Sequence, residues 1–211
     1  LPRIQANANL ESHLLWAAGA LLALVGLSAL GGWRRGVGFL LTVSIKRSHW
    51  VQGLVQSSIY VYWAQYWEPV GQHAPLIAAQ LLFLYGFDML LSWSRGETYK
   101  LGFGPFPIVL STNLFIWFRD DVFYLQFVMI AIGALGKDLI RWTRDGQRTH
   151  IFNPSALGLF LFSVVLIATN QTHLTRGPEI ASTLGHAPYM YVHVFAVGLI
   201  VQYFFRVTLV T

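Results

Sequence analysis

Long apolar stretches alternate with short polar segments along the whole chain. A helix needs about 20 mostly apolar residues to cross the roughly 30 Å hydrocarbon core of a bilayer. Seven stretches approach that length, and tryptophans lie at or near many of their ends, where an indole ring favours the membrane interface. The pattern predicts membrane-spanning helices at residues 14–30, 50–67, 76–93, 103–118, 122–136, 151–169 and 189–210.

The fourth stretch is the least regular of the seven. Gly104, Pro105 and Pro107 lie at its start, and because proline lacks a backbone donor we expect a broken helix with an irregular first turn. Because the stretch is also short, a re-entrant loop is the alternative, which would leave six crossings. Two roles are open for a broken helix of this kind: it forms part of a transport or ion site, or it only changes the direction of a helix within the bundle.

The basic residues decide between these alternatives. Seven crossings place three of them on one side, Arg3, Arg119 and Arg176, and eleven on the other, Arg34, Arg35, Lys46, Arg47, Arg95, Lys100, Lys137, Arg141, Arg144, Arg148 and Arg206. This strong asymmetry obeys the positive-inside rule, whereas a re-entrant fourth stretch would move four basic residues outside. We therefore predict an all-α, polytopic helical bundle with the N-terminus outside and the residue 31–49, 94–102 and 137–150 loops in the cytoplasm.

The composition agrees with a single transmembrane domain over residues 1–211. Hydrophobic residues make up 55% of the chain and charged residues 11%, against roughly 25% charged in an average soluble domain. The composition excludes a soluble enzyme and a disordered scaffold, and the net charge of +5 lies in scattered clusters that do not suit nucleic acid. Without cysteine, thiolate metal sites are excluded. The chain lacks an initial methionine and stops as an apolar stretch ends, so we expect it to be part of a longer polypeptide.

Two ionisable residues fall inside predicted spans. Asp88 is the one acid there, and a carboxylate in a bilayer must be neutral, paired or in a wet cavity. It is a candidate proton or cation relay, or it pairs near the interface with Arg95 or a helix end. His193 is a candidate axial ligand for a haem or chlorin, or a packing histidine bonded to a neighbour. The other histidines are expected at or outside the interfaces, and no metal site is predicted.

A strong helix start lies before the sixth stretch, where the sequence reads His150-Ile151-Phe152-Asn153-Pro154. Asparagine at the N-cap accepts hydrogen bonds from unpaired backbone N–H groups, and proline is favoured at the first helical position. The partial positive charge of such a helix end could face an anionic group at the cytoplasmic mouth of the span. The alternative is a helix cap with no further role.

Several segments together resemble a known family. They are residues 137–142, residues 149–156 with their Phe-Asn-Pro core, and the upstream Gly-Pro-Phe-Pro and Ser-Thr-Asn sequences within residues 104–113. These residues are similar to the RnfD proteins of Rnf-type electron-transport complexes and the NqrB proteins of the sodium-pumping NADH:quinone oxidoreductase, and look most like the UnbU branch. The resemblance implies a helical electron-transfer subunit with a flavin linked through phosphate to threonine in a Ser-Gly-Ala-Thr motif. That motif is absent from residues 1–211, so the resemblance assigns no flavin-binding residue in this sequence.

Three functions remain open. The first is an accessory, non-catalytic membrane subunit of a larger photosynthetic or respiratory electron-transport complex in a bacterial inner (cytoplasmic) membrane. The partners of this subunit would be lipids, other membrane subunits and, through its aromatic surface, pigments. The second is a flavin-dependent electron-transfer or ion-translocating subunit. The third is a small-molecule transporter that uses Asp88 and the broken fourth stretch.

Overall fold

The computed structural model describes residues 2–36, 38–144, 147–185 and 189–205. The chain is all-α, as predicted, with short strands in its connecting loops. The helices are α1 (Pro2–Gln5), α2 (Ala8–Arg35), α3 (Arg47–Ala64), α4 (Pro69–Ser94), α5 (Pro105–Asn113), α6 (Tyr124–Leu139), α7 (Pro154–Ala168), α8 (Gly177–Leu184) and α9 (Met190–Phe205). The strands are β1 (Leu41–Val43), β2 (Tyr99–Leu101), β3 (Arg141–Arg144) and β4 (Gln147–His150).

Two helices in the described part of the chain, α2 and α4, are long and apolar enough by composition to cross a membrane. The apolar helices α7 and α9 are shorter. Residues 206–210 of the last predicted span lie outside the described residues.

The fourth predicted span contains a much shorter helix than its apolar length indicates. Helix α5 ends at Asn113, where the Trp117 indole donates to the Asn113 carbonyl at 2.5 Å and the Asn113 side-chain amide donates to the Val109 carbonyl at 2.8 Å. The expected irregular first turn is wrong. Pro105 and Pro107 occupy that turn, where N–H groups have no intrahelical partner, so the missing donors cost nothing.

Contacts between loops define two ends of the molecule. At one, which we call the basic end (residues 38–46, 95–104, 137–144 and 147–153), β1 pairs in parallel with β2, and Arg95 binds Asp138 at 3.1 Å. At the opposite end (residues 4–9, 114–123 and 169–185), Asn7 donates to Asp120 and Arg119 binds Glu179. The three loops predicted on the cytoplasmic side therefore lie together at one end of the bundle.

The core lies where α3, α4, α5 and α6 meet. Its largest fully buried side chains include Trp63, Trp117, Phe123 and Ile130. Helix α2 lies at the periphery, where Leu10 is its one buried residue among those described. Helices α7 and α9 likewise have few buried residues among those described. Helices α2, α7 and α9 therefore present most of their apolar side chains to the surroundings.

Candidate functional site

A cavity of about 420 Å³ opens at the basic end and brings together segments that are far apart in sequence. We call it the basic-end cavity. It contains both motifs singled out in the sequence, the helix start before α7 and the segment that begins α5. Its lining residues are His49, Gln52, Gly104, Pro107, Ile108, Ser111, Lys137, His150, Asn153, Pro154, Ser155, Val201 and Gln202.

The first turns of three helices, α3, α5 and α7, contribute to this lining. Helix α7 begins at Pro154 with Asn153 as its N-cap, as the sequence predicts, and the Asn153 Oδ1 accepts from the N–H groups of Ser155 and Ala156. Among the described residues, no side chain caps the start of α3 or α5. Three helix N-termini therefore direct partial positive charge at one cavity, and α3 keeps uncapped backbone donors there.

Close packing of α6 on α7 fixes the position of the helix start. A Cβ atom on Gly133 would lie 2.5 Å from the Pro154 carbonyl oxygen, and one on Gly158 would lie 2.8 Å from the Met129 carbonyl oxygen. Only glycine permits this approach, because any side chain would push the two backbones apart. The same packing brings Lys137 near the end of α6 to the cavity wall.

Asp88 forms an ion pair at the edge of the cavity. Its Oδ2 accepts from the Lys137 Nζ at 2.8 Å, and the residue is only 7% exposed. Its Oδ1 has no hydrogen-bond partner among the described residues. The expected alternative partner is wrong, since Arg95 binds Glu97 and Asp138 instead.

The two cavity histidines lie in a positive environment. Burial and the charges of Lys46 and Lys137 lower the pKa of His49. Burial, then Lys137 and Arg141, lower the pKa of His150. The nearby carboxylate of Asp138 is engaged by Arg95 and Arg141. The cavity therefore has an excess of positive charge, which disfavours a second proton on either imidazole ring.

The remaining predicted residues lie elsewhere. His193 makes a 3.1 Å hydrogen bond with the Ser58 hydroxyl and stacks on Tyr62, an arrangement that the packing interpretation expects. Phe152 is exposed, and Pro105 is buried but does not line the cavity.

Sequence reasoning missed a buried polar network in the core. His73 contacts the Asn113 Oδ1 at 3.0 Å, and Gln80 and Asn113 exchange amide hydrogen bonds. His73, expected at or outside an interface, is 1% exposed and stacks on Trp117 at 4.1 Å. Polar Gln80 and Gln126 within otherwise apolar stretches were the available signal, because such side chains are buried only with partners.

No group of three or more histidine or acidic residues suited to a metal ion occurs within residues 2–36, 38–144, 147–185 and 189–205. No protein-family model matches the chain, and no curated protein or solved structure is significantly similar to it.

Proposed function

We propose that this chain is an integral protein of the bacterial cytoplasmic membrane that crosses it seven times and serves as an accessory subunit of a larger electron-transport complex. The observation that carries the membrane assignment is the surface of α2. No residue in the most apolar 18-residue part of α2 is buried, and Trp16, Leu22 and Trp33 are each 70% exposed or more. At about 25 cal/mol per Å² of apolar surface, such a helix is unstable in water and stable in lipid.

The other peripheral helices support the same proposal. Phe160 and Ile167 of α7, with Phe195 and Tyr203 of α9, are all more than 60% exposed. Apolar surface this extensive suits contact with lipid chains and with the helices of partner subunits. The extent of this surface supports an accessory role, with chemistry supplied by those partners.

The charge distribution supports an orientation. Lys46, Lys137 and Arg141 lie at the basic end, which on the positive-inside rule faces the cytoplasm. The N-terminal segment, with the rest of the opposite end, then lies outside.

The absence of cysteine makes a direct topology test available. Ser94→Cys places a thiol at an exposed position near the basic end, and Ser182→Cys places one at the opposite end. We expect a membrane-impermeant maleimide to label Ser182→Cys on intact cells and Ser94→Cys only after lysis. Labelling of both on intact cells, or of Ser94→Cys alone, contradicts the proposed orientation.

The accessory role is tested by gentle purification from native membranes, followed by absorption spectroscopy and identification of the co-eluting subunits. We expect a large assembly whose chromophores belong to other chains. A flavin spectrum from this chain alone would instead support the electron-transfer role that the Rnf resemblance implies.

Transport is the second candidate, and the Asp88–Lys137 pair beside the α5 segment favours it. A buried carboxylate at the edge of a cavity is a common ion-coupling group. In proteoliposomes, Asp88→Asn would then abolish proton or sodium uptake while Tm stays close to that of the unsubstituted protein. Uptake that survives Asp88→Asn, or an unsubstituted protein without uptake, rejects this candidate.

A further inference from the structure

The basic-end cavity is built for an anion, a property independent of the accessory role proposed above. The cavity collects one lysine and two histidines at its wall, and the positive charges of Lys46 and Arg141 also act on these histidine rings. Both neighbouring acids are already engaged: Asp88 binds Lys137, and Asp138 binds Arg95 and Arg141. The surplus charge is positive.

Hydrogen-bond donors surround the same space. An ammonium group has three N–H donors, and the Lys137 Nζ gives one to Asp88. The Ser111 hydroxyl and the Gln52 side-chain amide also line the cavity. The α3 N-terminus adds backbone N–H groups that, among the described residues, no side chain caps, whereas α5, with Pro105 and Pro107 in its first turn, adds mainly its dipole. Phosphate oxygens accept from this combination of lysine, histidine and helix N-termini.

The other walls define what can accompany the anion. Pro107, Ile108, Pro154 and Val201 are apolar, and the volume of about 420 Å³ lies in the range of small-molecule pockets. A bare inorganic ion would leave much of this space unfilled. The lining suits an anionic group attached to an organic portion.

We propose that the basic-end cavity binds a phosphate group, carried either by a soluble phosphate ester or by the headgroup of an anionic phospholipid. Lys137 supplies the charged contact, His49 and His150 supply ring N–H groups, and the first turn of α3 supplies backbone donors. The α7 N-terminus contributes mainly its dipole, because Asn153 already accepts from its first N–H groups.

The test measures the Tm of the full chain in a neutral detergent at constant ionic strength, with inorganic phosphate as the soluble probe. A second arm adds phosphatidylglycerol, with phosphatidylcholine as its zwitterionic comparison. Because a ligand that binds the folded state raises Tm, we expect a saturable rise of about 3 °C at roughly ten times the dissociation constant. A rise with inorganic phosphate indicates a soluble ligand, and a rise with phosphatidylglycerol alone indicates a lipid headgroup.

Variants separate the cavity from general salt effects. His49→Gln/His150→Gln removes the two imidazole rings and their capacity for positive charge, and His173→Gln makes the same change at an exposed position at the opposite end. We expect the double variant to weaken binding about tenfold and His173→Gln to leave it unchanged.

The protonation of the cavity histidines gives an independent signature. Sulfate keeps its charge between about pH 6 and about pH 8, so any pH dependence of its binding comes from the protein. The groups that face His49 and His150 are Lys46, Lys137, Arg141 and the two rings themselves. Because a bound anion favours the imidazolium forms, sulfate binding should be tighter at the lower pH, and the double variant should lose that difference.

The proposal is overturned if neither probe raises Tm, or if the double variant responds as the unsubstituted protein does. If the double histidine variant loses both the Tm response and its own melting transition, it has failed to fold and a second variant is needed. Asp88→Asn/Lys137→Gln serves this purpose, because it removes the cavity cation but keeps a neutral hydrogen-bonding pair. If this variant melts normally and still binds phosphate with unchanged affinity, the proposal is likewise wrong. Thiol labelling tests the membrane topology separately, so the anion-binding proposal and the proposed topology can each fail without the other.

Discussion

At the scale of single residues, the ion pair between Asp88 and Lys137 ties the core to the basic-end cavity. The Asp88 side chain is 10% exposed and the Lys137 side chain 28%, so the carboxylate depends on the ammonium group more than the reverse. The sequence identified the acid, because a carboxylate in an apolar stretch is conspicuous. It did not identify the partner, which lies 49 positions away and reaches Asp88 only through the packing of α6 on α4.

Removing only the ammonium group of this pair should destabilise the fold more than neutralising both members. Lys137→Gln leaves a buried carboxylate without its cation, at an expected cost of about 2 kcal/mol, reduced from the fully buried case because Lys137 is partly exposed. That corresponds to a Tm lower by about 4 to 8 °C. Asp88→Asn/Lys137→Gln should recover most of the loss. Equal melting temperatures for the single and double variants would show that the pair does not couple the two helices.

At the scale of elements, each of the seven predicted stretches overlaps a helix, but the sequence missed α1 and α8 and misjudged where α5 ends. The apolar stretch predicts a helix that continues to residue 118, but α5 ends at Asn113, where the side chains of Asn113 and Trp117 bond to backbone carbonyls. Such bonds depend on where the side chains point in three dimensions, which a hydropathy pattern does not contain. The cap at Asn153, by contrast, is local chemistry, and the sequence predicted it correctly.

The glycine contact between α6 and α7 should be sensitive to a single methyl group. In Gly133→Ala the new Cβ meets the Pro154 carbonyl oxygen, a backbone atom, so α7 must shift, at a cost of about 1 to 3 kcal/mol. Gly26→Ala on α2 is the matched control, because no described atom lies within 4 Å of its Cβ and alanine favours a helix. The Tm values of the two variants, measured by thermal unfolding, give the comparison. A Gly133→Ala variant as stable as Gly26→Ala would mean that the helices can separate freely.

At the scale of the whole molecule, charge counting predicted which loops share an end, and the contacts of those loops agree. Basic loops far apart in sequence meet through the pairing of β1 with β2 and through Arg95 and Asp138. The cavity at that end was not predictable, because it requires the starts of α3, α5 and α7 to converge. The starts of α5 and α7 carry recognisable local signals in their prolines, but nothing in one sequence records the distance between helix starts.

Two leucines of nearly equal exposure provide the sharpest test of whether lipid surrounds the bundle. Leu22 in the middle of α2 is 70% exposed and Leu139 at the basic end of α6 is 69% exposed. In water, Leu22→Arg and Leu139→Arg would be equally harmless, since each places a charge on an open surface. In a membrane only Leu22→Arg places a charge at the bilayer centre, at about 2.5 to 3.5 kcal/mol on insertion scales, whereas Leu139 lies beside the interface.

We therefore expect Leu22→Arg to reduce the amount of protein recovered in carbonate-washed membranes several-fold, while Leu139→Arg stays near the unsubstituted level. Expression of both variants is normalised by total protein, which separates failed insertion from low synthesis. Equal recovery of the two variants would mean that lipid does not surround α2. Because both substitutions add the same side chain at the same exposure, any difference between them measures the surroundings of the helix rather than its packing within the bundle.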